Sequence, residues 1–249
     1  MHQLHVLARG ERWAIVAKPP RLACHRSALV QDRTTVMRLL PRQLGREVHL
    51  VHRLDRGASG CLLVAFDAPM TARLQAALAA PDAGKTYLAF VRGFFRWDDP
   101  VEVDTPIPDD AGAPKASRSA VEAIGRSLTP RCSLLRVRPA TGRHHQVRRH
   151  VRDLDHPILG DHDHGDSRVN RIWRDDHGLR RLGLHCLSLR LDVPASDDGP
   201  AEVIDAVCPP PDDLAALWAT LPWWGDALAA EPALALPPLA LRSPYAEGR

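Results

Sequence analysis

Lysine is nearly missing from this chain of 249 residues: Lys18, Lys85 and Lys115 stand against thirty arginines. Guanidinium grips phosphate and carboxylate oxygens in a planar, two-point fork, so the imbalance suits phosphate contacts, although a coding sequence rich in G and C gives the same bias. The net charge of +3 is too small to demand a polyanionic partner by itself. Cysteine is sparse and scattered: Cys24, Cys61, Cys132, Cys186 and Cys208 are odd in number and form no Cys-x-x-Cys pair. That excludes a disulfide framework and reads as reduced core thiols of a cytosolic protein. Residues 1–10 lack the apolar region of a secretory leader, and no run reaches the length of a membrane span, so a soluble, cytoplasmic protein without a membrane partner is expected. Also lacking are an internal repeat, a phosphate-binding Gly-rich loop with its lysine, and a clear dinucleotide fingerprint, so no nucleotide cofactor is expected.

What is present is enough apolar residue, 45%, to fill one core. The expected organisation is a single domain over 1–225, with no separate module before it, and a loosely ordered Ala- and Pro-rich tail over 226–249. Leu4 to Ala8 and Trp13 to Ala17 predict a hairpin, and Val36, Leu39 and Leu40 share one helix face behind a cap at Asp32 or Thr34. Cys61 to Phe66 predicts a buried strand, followed by a helix over 69–80 capped by Asp67. Lys85 to Gly93, Ser119 to Ile124, Cys132 to Val137, Leu184 to Leu191 and Glu202 to Val207 predict further strands. Asp98 to Ser117 reads as a surface loop, and a short helix capped by Asp212 closes the series.

The chemistry concentrates in three places. In Val51-His52-Arg53-Leu54-Asp55-Arg56-Gly57-Ala58-Ser59-Gly60 one carboxylate sits between arginines on a glycine-bearing loop just before a strand, which places an acid at the edge of a core. Arg143 to Leu154 carries Arg143, Arg148, Arg149 and Arg152 with three histidines, while Val147, Val151 and Leu154 form one apolar stripe; a helix with basic outer faces is predicted. Asp161, His162, Asp163, His164 and Asp166 have the ligand types of a metal site, but so many adjacent donors cannot converge on one ion, and no metal is expected.

The Asp55 segment resembles the His-Arg-Leu-Asp-x-x-Thr-Ser-Gly signature of the RluA family of RNA pseudouridine synthases, with Ala58 where that family has Thr. Thr141-Gly142-Arg143-x-His145-Gln146-x-Arg148 matches a second motif of the family, Lys85-x-Tyr87 a third and Pro157-Ile158-x-Gly160-Asp161 a fourth. The resemblance covers roughly residues 4–207. It implies an α+β pseudouridine synthase fold with a mixed, largely antiparallel central sheet flanked by helices and loops. It implies Asp55 as catalytic carboxylate, Arg148 as the arginine that meets it, Tyr87 against the target base and Arg53 as the wedge that replaces a flipped base. Gly160-Asp161-x-x-His164-Gly165-Asp166-x-Arg168-x-Asn170-Arg171, with His25-Arg26-Ser27, is similar to the branch that modifies tRNA at uridine 65. Arg143, Arg149, Arg152, Arg168 and Arg171 are the expected phosphate contacts on an RNA partner, without cofactor and with the chain as a monomer. A ribosomal RNA substrate is the nearest alternative, and a metal-dependent hydrolase using His162 and His164 the alternative of another class.

Overall fold

The computed structural model describes residues 3–26 and 34–245. In chain order the elements are β1 (His5–Arg9), β2 (Trp13–Lys18), α1 (Val36–Leu44), β3 (His49–Leu50), β4 (Ser59–Ala65), α2 (Ala68–Ala79), β5 (Gly84–Arg92), β6 (Val101–Val103), β7 (Ile107–Pro108), β8 (Pro114–Lys115), β9 (Ser119–Leu128) and β10 (Arg131–Pro139). They continue with α3 (Gln146–Asp153), α4 (Ser167–His177), β11 (Leu184–Val193), β12 (Glu202–Val207), α5 (Asp212–Trp218) and α6 (Trp224–Ala230). The chain divides into two compact units, one of residues 1–84, 186–208 and 239–249, the other of 85–185 and 209–238.

In the first unit β2 pairs antiparallel with β1 on one side and β4 on the other, β3 adds to β4, and β11 pairs with β12. Every residue of β2 and β4 is buried, which is why both read as unbroken apolar runs instead of alternating ones. Asp67 caps α2 as expected: its carboxylate accepts from the Met70 N–H at 2.8 Å, while Arg12 donates to it from Nε at 2.8 Å and Nη2 at 2.6 Å. A helix N-terminus favours such a negative charge. The cap of α1 is Thr35, one residue beyond the expected Thr34; Asp32 and Ser27 lie outside the described residues.

In the second unit β10 lies between β5 and β9, with β6 on the far edge of β9, all antiparallel. Phe90 of β5 is the centre of its core, its ring edge-on to Trp173, Trp218 and Trp223 with centroids 5.0 to 6.2 Å apart. Aromatic pairs favour this T-shaped arrangement. The stretch 98–117, read as a loop, contains the short strands β6, β7 and β8, too brief to show a period of two. Helix α4 was hidden in the His- and Asp-rich run; Asp166 starts it by accepting the N–H groups of Arg168 and Val169. Pro211, not Asp212, occupies the cap position of α5. Beyond Gly225, α6 continues to Ala230, a single 3-10 turn follows, and Leu234 and Leu241 are buried.

All five cysteines are buried free thiols. Burial pushes the Cys24 thiol up and that of Cys132 to about 11, which keeps both protonated and unreactive. Among the described residues no helix is long and apolar enough to cross a membrane.

Candidate active site

The Asp55 loop belongs to the first unit, and several backbone and side-chain bonds within that unit hold it. Val51 N–H donates to Leu63 O at 3.3 Å, and His52 Nε2 accepts from Leu63 N–H at 3.1 Å, stitching the loop entry to β4. Cys24 Sγ lies 3.4 Å from Leu54 O. Ala58 N–H donates to Asp55 O at 3.1 Å, closing a turn by backbone alone. A threonine hydroxyl at position 58 is therefore not required for that closure. Ala58 itself is buried.

Beneath the loop lies Lys18, whose side chain is completely buried. Its ammonium donates to Pro19 O and Leu22 O, both at 2.9 Å, and to Arg56 O at 3.4 Å. A cation without solvent is tolerated only where several carbonyls replace its water, and here one of those carbonyls follows Asp55 directly. At the loop exit Gly60 has φ +116°, and a β-carbon there would collide with the Cys186 carbonyl, so only glycine fits. Asp55 is half-buried, whereas Arg53 and Arg56 are exposed.

Tyr87 and Arg148 belong to the second unit. Tyr87 is half-buried on β5, opposite Val137 of β10. Two residues earlier the Lys85 ammonium donates to Thr141 O at 3.5 Å, tying the strand to the Thr141-Gly142-Arg143 turn. That turn is knotted by Gln146: its Oε1 accepts from Thr141 Oγ1 at 2.7 Å and Arg143 N–H at 3.0 Å, while its Nε2 donates to Arg118 O and Ser119 Oγ.

Arg148 departs from the expected outward basic face. It is 5% exposed, and its guanidinium is gripped by Asp161, Nε to Oδ2 at 2.7 Å and Nη2 to Oδ1 at 2.6 Å, with Asp163 on Nη2 at 2.7 Å. Burial raises the Asp161 carboxyl, but the bonds and charge of Arg148, together with the N–H groups of His164 and Asp163, outweigh it and hold the group below the usual carboxylate range. Gly160 before it has φ +78°, where a β-carbon would strike Arg181 O, and this brings the aspartate under the helix. His150, also on α3, is buried between Ser119 Oγ at 2.9 Å and Ser117 Oγ at 3.1 Å. His145 Nδ1 and His164 Nε2 share one hydrogen bond at 2.9 Å, with His144 stacked on His145.

The remaining arginines differ in freedom. Arg168 and Arg171 are exposed on α4, Arg152 is exposed and bonded to Asp153, and Arg149 is half-buried. Arg143 is exposed, its Nε donating to Ala116 O. Among the described residues no three of His, Cys, Asp and Glu are arranged to hold a metal ion; Asp161 is committed to Arg148 and His164 to His145. Asp161 and Lys18 are the two residues whose roles the sequence reading missed. Their signals were faint: an aspartate after a glycine turn, and one of three lysines directly before Pro19-Pro20.

One antiparallel unit carries the acid-bearing loop and the other a helix with a clamped arginine, and together they make an α+β fold. Residues 12–153 match the family described as RNA pseudouridylate synthase, and the chain belongs to it. The sequence is 36% identical over 212 residues to a tRNA pseudouridine synthase C of Pectobacterium carotovorum subsp. carotovorum, covering 78% of this chain and 56% of that one. It is equally 36% identical to the tRNA pseudouridine synthase C of Yersinia pestis, covering 78% of this chain and 83% of that relative. The structure of human RNA pseudouridylate synthase domain containing 1 superposes with a TM-score of 0.69 at 26% identity, covering 95% of this chain and 96% of the human one.

Proposed function

We propose that this protein converts one uridine of transfer RNA to pseudouridine, and that the target is uridine 65. The observation that carries this reading is the Asp55 loop, which presents a half-buried carboxylate on a backbone held by a buried lysine at Arg56 O, a glycine-only exit and a run of backbone bonds, in a chain of this family. The similarity to proteins named tRNA pseudouridine synthase C supports the choice of RNA. The Gly160 to Arg171 run supports the position.

The reaction breaks the bond from ribose C1′ to uracil N1 and forms one from C1′ to C5, while a proton leaves C5 and one arrives at N1. Nothing is oxidised or reduced, so no cofactor is needed. Asp55 acts as the catalytic carboxylate and Arg148 supplies a permanent cation. Tyr87 packs against the uracil ring. The base must first leave its stack, which costs a few kcal/mol, and Arg53, exposed two residues before Asp55, fills the gap. Arg143, Arg149, Arg152, Arg168 and Arg171 contact phosphates. The enzyme works as a cytoplasmic monomer.

The test is chemical mapping of pseudouridine on unmodified transfer and ribosomal RNA, with the intact protein, with Asp55→Ala and with chelator. Modification at tRNA position 65 that disappears with Asp55→Ala and ignores chelator is expected. Modification of ribosomal RNA alone moves the substrate, and activity lost with chelator overturns the mechanism.

A further inference from the structure

At the end of β5 away from Tyr87, the second unit has an open cleft of about 730 Å³. It lies five residues along the strand from Tyr87, on the order of 17 Å at the rise of a β-strand. Its walls are the end of β5 and the residues after it, the turn between β9 and β10, the end of α3 and one face of α4. None of the residues assigned above to the reaction or to phosphate contacts lines it.

Its chemistry is that of planar rings beside delocalised cations. The Arg96 guanidinium lies over the Trp97 ring, 4.6 Å from its centroid. Trp97 packs edge-on to His156 at 6.1 Å, and His156 donates from Nδ1 to the Arg92 carbonyl at 2.8 Å. That bond leaves Nε2 of a neutral ring as an acceptor. Arg131 is exposed and also lines the cleft. Among the described residues neither Arg96 nor Arg131 forms an ion pair, whereas Arg92 is bonded to Asp166 at 3.3 Å. Two carboxylates oppose this charge at the edge; Asp153 is engaged by Arg152, and Asp155 is exposed.

A folded protein partner would bring a broad apolar face, whereas here Phe94, Leu154, Val169 and Ile172 are interleaved with three arginines, two aspartates and two histidines. An unpaired nucleotide fits better. It brings a π-face for Trp97 and charge for the two arginines that lack one. We propose that this cleft is a second RNA site, which takes an unpaired nucleotide of the substrate RNA by stacking its base on Trp97 and bonding its phosphates with Arg96 and Arg131. The proposal rests on the RNA-modifying reading and deepens it: the enzyme holds its RNA at a point well removed from the target base. The cleft then contributes to affinity and to the choice of RNA, not to the chemical step.

Filter binding of the full-length protein to unmodified tRNA across a salt series tests this, alongside pseudouridine formation at saturating RNA. Arg131→Glu, at an exposed side chain, is expected to raise Kd about tenfold and to flatten the salt dependence by roughly one phosphate contact. Arg42→Glu, the same charge change on α1, is expected to shift Kd less than about twofold. Trp97→Leu, which keeps an apolar side chain against Phe95, is expected to weaken binding about tenfold while leaving the saturated rate unchanged. Ultraviolet crosslinking should join Trp97 to an unpaired nucleotide outside the target site. Unchanged Kd and salt slope in both cleft variants, with the wild type active, overturn the second site and leave the proposed activity standing. Competition at the cleft by polyglutamate, with no effect of Arg131→Glu on RNA, overturns it in favour of an acidic protein. A wild-type protein that forms no pseudouridine overturns the activity instead, and the cleft is then judged by the binding data alone.

Discussion

Asp161 holds Arg148 by two parallel hydrogen bonds of 2.7 and 2.6 Å, between side chains that are almost wholly removed from solvent. A guanidinium in such a fork loses its freedom to rotate, so all of its N–H groups are held in fixed directions.

Asp161→Asn is therefore expected to cost about 3 kcal/mol, because it removes the buried, two-point counter-charge of Arg148 and leaves only the solvent-exposed Asp163. For a chain of this size that lowers the thermal midpoint by roughly 10 °C, read by calorimetry. Below the new midpoint the residual turnover should fall far more than RNA affinity, since Arg148 is displaced while the exposed arginines are not. A variant with normal turnover would remove Arg148 orientation from the mechanism.

Lys18→Met keeps the length of the side chain and removes its ammonium. Three carbonyls, those of Pro19, Leu22 and Arg56, then lose a donor. The expected stability loss is about 2 to 4 kcal/mol by urea unfolding, with activity reduced even in the folded fraction because the residue after Asp55 is released. Lys18→Arg should fail as well, since the larger guanidinium does not fit a fully buried site.

Gly60→Ala adds one methyl group where the Cys186 carbonyl already stands, at a backbone angle that disfavours any side chain. We expect poor expression or at least about 3 kcal/mol of destabilisation, measured by denaturant midpoint. Gly45→Ala, at a positive φ but in open space, should cost only about 1 kcal/mol.

Stability should fall on mild acidification. His150 and His156 titrate below the ordinary histidine value, chiefly because burial disfavours the imidazolium; His164 does so through burial and the nearby Arg148 charge. A native pKa below the unfolded one means that the unfolded chain binds the proton first. The stabilisation is complete above about pH 6.5 and is lost as pH drops beneath it. Asp161, depressed in the folded state, adds a second loss, which begins below the unfolded carboxyl's value of about 4 and continues as pH falls through the lowered native one. The thermal midpoint at pH 5.5 should lie below that at pH 7.5, and His150→Asn should narrow the gap.

How much of this was legible beforehand follows the range of the interactions. The Asp55 loop was readable because its chemistry is local: an acid, two glycines and a buried strand within a dozen residues. The Asp67 cap and the apolar runs of β2 and β4 were readable for the same reason. The grip of Asp161 on Arg148 was not, because thirteen residues and a positive-φ glycine separate them, and a helix pattern alone placed Arg148 on the outer face. Helix α4 was masked by ligand-like residues, of which Asp166 proved to be a cap. Helix α6 begins at Trp224 in a region whose composition of Ala and Pro gives no amphipathic period.

The lysines supply a practical consequence. Lys18 is sealed in the core, Lys85 is buried against the Thr141 carbonyl, and only Lys115 is exposed, beside Asp109. Of the three lysines, amine-directed reagents should therefore label Lys115 in the folded protein and leave the other two, giving a single lysine handle for a dye or a solid support.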